Sequence, residues 1–241
     1  MVKVRIGTSG WHYKHWLGPF YPQGLAPSEM LKWYVEHFDT VEINNSFYRL
    51  PLASTFESWR RGTPTGFCFA VKASRYLTHR KKLREPDEAL QSFLIPARKL
   101  GPKLGPLLFQ LPPRWHVNTT RLEEFLRALP RRQRSVIEFR DPSWHISSVY
   151  ELLRRHNVAF CIYDLAGATS PIELTASFGY VRLHGPGSAY HGSYPSVALE
   201  KWAKQIERWQ GNLEQIFVYF NNDVEGHAVR NALSLLKLIR H

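Results

Sequence analysis

Two cysteines in 241 residues exclude a disulfide-stapled scaffold and a cysteine-rich metal site. Cys68 and Cys161 each fall in an apolar, strand-like run, where cysteine acts as a small buried hydrophobe. No apolar run approaches the ~20 residues that cross a bilayer, so no membrane partner is expected. The start, Met1-Val2-Lys3-Val4-Arg5-Ile6, leads into a strand pattern without the charged and apolar zones of a signal peptide, which reads as a cytoplasmic protein. No strand candidate is followed by a Rossmann or P-loop glycine motif, and neither HxH nor HExxH spacing occurs. Internal repeats and low-complexity segments are missing as well. Acidic residues are scarce: 20 Asp and Glu stand against 32 Lys and Arg, a formal charge of +12. That balance favours an anionic small molecule or nucleic acid as partner; oligomeric state is not legible.

What is present is an alternation of short apolar runs and amphipathic segments. Eight strands are predicted at Val4–Thr8, Thr40–Asn44, Phe67–Lys72, Leu107–Leu111, Ser135–Arg140, Ala159–Asp164, Tyr180–His184 and Ile216–Asn221. Helices are predicted at Ser28–Phe38, Ser54–Arg61, Asp87–Leu100, Thr120–Leu129, Ser148–His156, Val197–Gln210 and Gly226–Ile239, with Thr120-x-x-Glu123 and Ser148-x-x-Glu151 as capping-box spacings. No convincing helix lies in Leu165–Gly179. Strict alternation implies parallel strands and right-handed crossovers. The expected fold is a single α/β domain over 1–241, a (β/α)8 TIM-like barrel whose sixth helix is short or missing. A doubly wound open sheet is the alternative.

The organising stretch is Val136–Trp144. Strand side chains alternate, so Val136, Glu138 and Arg140 share one face and put an acid and a base at one strand end. Asp141-Pro142 then stops the strand and leaves Ser143-Trp144 in the following loop.

Several blocks, in order, resemble the DUF72 (YecE-like) family. They are Ile6-Gly7-Thr8-Ser9-Gly10-Trp11 with Tyr13 and Trp16, Thr40–Asn44 with Phe47–Pro51, Phe69–Lys72 with Thr78-His79, and Gln110–Pro113. Glu138-Phe139-Arg140 with Ser143-Trp144, Tyr180–Gly185 and Tyr219–Asp223 complete the set. The resemblance implies a TIM-like barrel and brings no established reaction. One departure is Asp141, where the resemblance implies a histidine.

In such a barrel, chemistry gathers at the C-terminal ends of the strands. Sorting polar residues by strand end places Glu42 and Asn44, Lys72, Gln110, Glu138 and Arg140, Asp164, Arg182 and His184, and Tyr219 and Asn221 there. Glu42 and Glu138 are the acid/base candidates, Lys72 an anion holder or Schiff-base amine, and His184 a proton shuttle. Arg140 and Arg182 would hold an anion. Asn44, Asp164, Tyr219 and Asn221 would line the ligand, with Trp11, Tyr13, Tyr48 and Trp144 as aromatic contacts. A purely structural alternative has Glu42, Lys72, Glu138, Arg140 and Arg182 neutralising one another, because buried charges must be paired. Glu42, Glu138, Asp164 and His184 offer ligands to a divalent metal, but Lys72, Arg140 and Arg182 repel a cation; no cofactor or metal is expected, with a divalent ion the open alternative.

The basic clusters divide the same way. Arg60-Arg61 and Arg131-Arg132-Gln133-Arg134 precede strands, at the end opposite the chemistry, whereas Arg75–Arg84 follows the third strand. Interleaved aromatics suit a ligand with phosphates and rings. Gly185–Pro195 follows the seventh strand, where many barrels bind phosphate. The expected function is therefore binding of a phosphorylated or nucleic-acid ligand, with hydrolysis or rearrangement by carboxylate chemistry. A non-catalytic nucleic-acid-binding module and a carbohydrate-active enzyme are the alternatives.

Overall fold

A computed structural model describes residues 2–239. Met1, Arg240 and His241 lie outside the described residues. The fold is an α/β TIM-like barrel of eight parallel strands with intervening helices. The strands are β1 (Lys3–Thr8), β2 (Thr40–Ile43), β3 (Cys68–Lys72), β4 (Leu104–Gln110), β5 (Ser135–Glu138), β6 (Ala159–Leu165), β8 (Phe178–Leu183) and β9 (Gln215–Phe220), with a two-residue β7 (Ala168–Thr169) pairing with β6. Their order in the sheet is β1-β9-β8-β6-β5-β4-β3-β2. By contacts the chain divides into two compact units.

The described residues of the first unit are 2–42, Ile162–Ser170 and 178–239. Its β1, β9 and β8 form a continuous parallel ladder, from Lys3 opposite Gln215 to Thr8 opposite Phe220, and from Phe178 opposite Gln215 to Leu183 opposite Phe220. Gly7 is required in β1, because a Cβ there would stand 2.3 Å from the Thr40 carbonyl oxygen. Helix α6 (Ser196–Trp209) buries Leu199, Trp202, Ala203 and Ile206, an i, i+3, i+4, i+7 stripe. It packs against α7 (His227–Ile239), which buries Ala228, Val229, Ala232 and Leu235.

The second unit comprises Ile43–Cys161 and Pro171–Ser177. It carries the β3-β4-β5 ladder extended by the start of β6, covered by α2 (Ala53–Arg61), α3 (Pro86–Ala97), α4 (Thr119–Ala128) and α5 (Ser147–Arg155). Phe93 of α3, Phe109 of β4 and Phe125 of α4 meet edge to face, with centroids 6.3 and 5.0 Å apart.

All eight expected strands form, and Leu165–Gly179 contains the β6–β7 hairpin and no helix. Several local expectations are corrected. The first helix is a 3-10 turn, Pro27–Glu29, followed by a short α1 (Met30–Tyr34). Strand β5 ends at Glu138, so Phe139 and Arg140 already belong to the loop. Neither capping box forms. Asn118 caps α4 by accepting from the Arg121 amide at 2.9 Å, because Thr120 is already inside the helix. Ile146 precedes α5, which lacks a side-chain cap.

Candidate functional site

In the first unit the C-terminal ends of β2 and β8 meet on Glu42. One carboxylate oxygen accepts from Ser9 Oγ at 2.6 Å and from Arg182 Nη2 at 2.7 Å; the other accepts from Tyr180 Oη at 2.6 Å. Both members of the Glu42–Arg182 ion pair are 0% exposed. Burial, then the neighbouring Glu42 charge, raises the Tyr180 phenol well above its ordinary range, which keeps it a hydrogen-bond donor. With three donors on its two oxygens, Glu42 is built as a held counter-ion. Tyr219, equally buried, pairs through its hydroxyl with Thr40 Oγ1 at 2.7 Å.

His184 lies buried at the end of β8, and its Nδ1 stands 3.0 Å from Asn221 Nδ2. Asp164 accepts from Tyr194 Oη at 2.8 Å and from Thr169 Oγ1 at 3.0 Å, while the Tyr194 hydroxyl accepts from the Gly185 amide at 3.0 Å. Asp164 thus ties β7 and the loop after β8 to the sheet. Glycine is required at position 185 (φ 114), because a Cβ there would stand 2.3 Å from the His191 carbonyl oxygen and 2.8 Å from that of Ser188.

Tyr13 donates to the Ser9 carbonyl at 2.6 Å and its ring lies 5.3 Å from that of His15. Burial and the Asp223 and Glu42 charges raise the Tyr13 phenol. His15 Nε2 is 2.9 Å from the Asp223 carbonyl oxygen, which Trp16 Nε1 also reaches at 2.8 Å, and burial raises the Asp223 carboxyl. Trp11 is buried, its carbonyl accepting from Tyr21.

In the second unit Glu138 is fully buried, ion-paired with Arg140 Nε, and accepts a weak bond from Cys161 Sγ at 3.7 Å. Trp144 is also fully buried: its indole donates to the Trp115 carbonyl at 2.5 Å and stacks on Phe139, so it fixes the loop. Asp141 accepts from the Ser143 hydroxyl at 2.7 Å and amide at 3.1 Å, and these bonds hold its carboxyl below the usual range. Asn44 is partly buried after β2, and its Oδ1 has no hydrogen-bond partner among the described residues.

Exposed cations of this unit include Arg75, Arg80, Lys82 and Arg84 in the segment after β3. The Lys72 ammonium sits 4.3 Å from the centroid of Phe47, a cation–π contact, and the His79 ring meets the same Phe47 edge to face at 5.0 Å. His79 Nδ1 is 2.9 Å from Thr78 Oγ1. Desolvation, then the Lys72 and Arg75 charges, push the His79 imidazole down to about 4. Tyr76–Arg80 forms a single π-helical turn. Three non-glycine residues follow in left-handed conformation: Lys82 (φ 48), Leu83 (φ 63) and Glu85 (φ 41). Each such residue costs on the order of 1–3 kcal/mol and collects where function imposes strain. Buried Leu83 pins the turn, its amide donating to the Leu77 carbonyl at 3.1 Å.

Lys81 reaches Glu85 at 3.5 Å, but among the described residues no carboxylate lies within 4.0 Å of Arg49, Arg75, Arg80, Lys82 or Arg84. Tyr48 and Tyr76 beside them are 75% and 50% exposed. The predicted residues therefore divide. Glu42, Arg182, Glu138, Arg140, Asp164, Tyr219, Trp11 and Trp144 are engaged inside the protein. Tyr48 and the basic segment face solvent. His79, Arg75 and Tyr76 are the residues whose setting emerges only from the fold. Charge density in 75–84 points to them, while the π turn has no sequence signal.

Among the described residues no three His, Cys, Asp or Glu side chains group to hold a metal ion, and no helix is long and apolar enough to cross a membrane.

The chain is 27% identical to the UPF0759 protein YunF of Bacillus subtilis (strain 168) over 98% of its own length and 94% of YunF. To the UPF0759 protein YecE of Escherichia coli (strain K12) it is 29% identical over 58% of its length and half of YecE. The crystal structure of a DUF72 family protein from Thermotoga maritima superposes with a TM-score of 0.89 at 29% identity, covering 99% of this chain and all of the other. A DUF72 family protein of Enterococcus faecalis shares the fold, with a TM-score of 0.85 at 17% identity and 99% and 96% of the two chains covered. The family model described as "Protein of unknown function DUF72" matches residues 5–241, and the chain belongs to that family.

Proposed function

We propose that this protein binds a phosphate-bearing ligand that also carries planar rings, with single-stranded nucleic acid as the best fit, on the segment that follows β3. The carrying observation is the set Arg49, Arg75, Arg80, Lys82 and Arg84, none within 4.0 Å of a carboxylate among the described residues, beside the exposed rings of Tyr48 and Tyr76. Cations without acidic partners attract phosphates, and exposed tyrosines stack bases of any sequence. Glu42 and Glu138 do not enter this reading as acid and base, because donors already engage both carboxylates. They hold Arg182 and Arg140 in place, and the function proposed is binding.

The test is fluorescence anisotropy of a short labelled single-stranded oligonucleotide at several salt concentrations. Each phosphate contact contributes a slope of about 0.7 to the fall of log affinity with log salt for single strands. Binding that weakens with salt, and weakens further in Arg75→Ala/Arg80→Ala, supports the reading. Binding that ignores both contradicts it.

A further inference from the structure

Under the π turn lies a cavity of about 120 Å³ in the second unit. Tyr76 and Leu77 form its wall on the turn side and Ala89 and Phe93 of α3 the other. Its polar groups are Ser74, Ser92, Lys81 and Glu88. An apolar cavity of roughly 150 Å³ accommodates benzene, and whole metabolites occupy about 300–1,000 Å³. This cavity is therefore the size of one planar ring and much too small for a complete cofactor.

Its composition fits a nucleobase better than a hydrocarbon ring. Aromatic and apolar walls serve the faces of a base, while hydroxyls, an ammonium and a carboxylate serve the donors and acceptors on its edge. Phosphates on either side of such a base have cations to meet. Arg75 immediately precedes the π turn, Arg80 ends it, and Lys82 follows in its left-handed conformation. The turn is internally braced: the Tyr76 amide donates to Ser74 Oγ at 3.2 Å, and the Tyr76 carbonyl accepts from the Lys81 amide at 2.8 Å. These bonds fix the backbone that carries the Tyr76 ring.

We infer that the cavity beneath the π turn receives one unpaired base of a single-stranded nucleic acid, stacked on Tyr76, with the flanking phosphates on Arg75 and Arg80. This rests on the binding function proposed above and makes it specific, since it requires bases as well as charge. A duplex, whose bases are stacked and paired, does not satisfy the site.

The experiment compares a labelled oligothymidylate with a sugar-phosphate polymer of the same length that lacks bases, using the full chain. Wild type is expected to bind the base-bearing strand about tenfold more tightly. Tyr76→Ala, which removes the stacking face, and Ser92→Leu, which fills the cavity from α3, are each expected to abolish that preference. Ser92→Leu should leave affinity for the abasic polymer unchanged, and Tyr76→Phe, which keeps the ring, should retain the preference. An undiminished preference in Tyr76→Ala and Ser92→Leu overturns the base site while the binding function proposed above stands; equal binding of the two polymers by wild type overturns the base site together with the ring-stacking part of that function. Failure to bind either polymer overturns both.

Discussion

Arg182 and Glu42, 140 residues apart in sequence, form an ion pair at 2.7 Å in which both side chains are 0% exposed. Desolvation makes such a pair sensitive to losing one partner, since the survivor stays buried without the opposite charge it faced at 2.7 Å.

Glu42→Ala is accordingly expected to lower unfolding free energy by about 3–5 kcal/mol in urea titrations. The double change Glu42→Leu/Arg182→Met, which removes both charges and keeps volume, should recover most of that loss. A double variant no more stable than Glu42→Ala would show that Arg182 is held for something other than charge balance.

The hydroxyl of Tyr180 donates the bond that the second Glu42 oxygen receives at 2.6 Å. Tyr180→Phe leaves that oxygen buried without this donor and should cost about 1–3 kcal/mol. A variant as stable as wild type would contradict the assignment of Glu42 as a held counter-ion.

His79 provides a pH prediction. Its folded-state value is pushed to about 4 from the ordinary 6.5, so below pH 6.5 the unfolded chain takes up a proton that the folded chain refuses. The His79 contribution is therefore full above pH 6.5 and is lost as pH falls from 6.5 towards 4. His79→Gln should flatten the stability profile across that window. An NMR titration of the ring should give a midpoint near 4 in the free protein and a higher one with an oligonucleotide bound. A free-protein midpoint near 6.5 would contradict the desolvated setting of the ring beside Lys72 and Arg75.

Asn118 accepts the Arg121 amide at the start of α4. Asn118→Ala should cost about 1 kcal/mol, as N-cap removals do, whereas Thr120→Ala should stay within about 0.5 kcal/mol. Thermal unfolding of the two variants distinguishes them, and the reverse order would restore the capping box at Thr120.

These residues also mark what the sequence made legible. Glu138 and Arg140 are two apart, and the sequence placed them together by strand alternation; they do pair, but Arg140 reaches Glu138 from the loop that follows β5. The eight strands were readable because each is a short apolar run bounded by turn residues. The Glu42–Arg182 contact was visible only as two polar strand ends, because no local rule joins residues separated by most of the chain. Trp144 carries no sequence mark that separates a ligand contact from a buried loop anchor, and its packing on Phe139 decides for the anchor. The π turn was hidden for a different reason. Lys82, Leu83 and Glu85 adopt left-handed conformations without glycine, so the strain is imposed by the tertiary fold.

Whether the basic segment after β3 is the ligand-binding surface is tested most directly by a charge-matched comparison. Single-stranded oligonucleotide affinity would be measured against salt for wild type, Arg75→Ala/Arg80→Ala, and Arg131→Ala/Arg132→Ala, whose exposed arginines precede β5. Both variants lose the same net charge. The account predicts that the first pair lowers affinity and reduces the salt slope by roughly 1.4, two contacts at about 0.7 each, while the second matches wild type. Equal losses in the two pairs would show that only net charge matters and would contradict it.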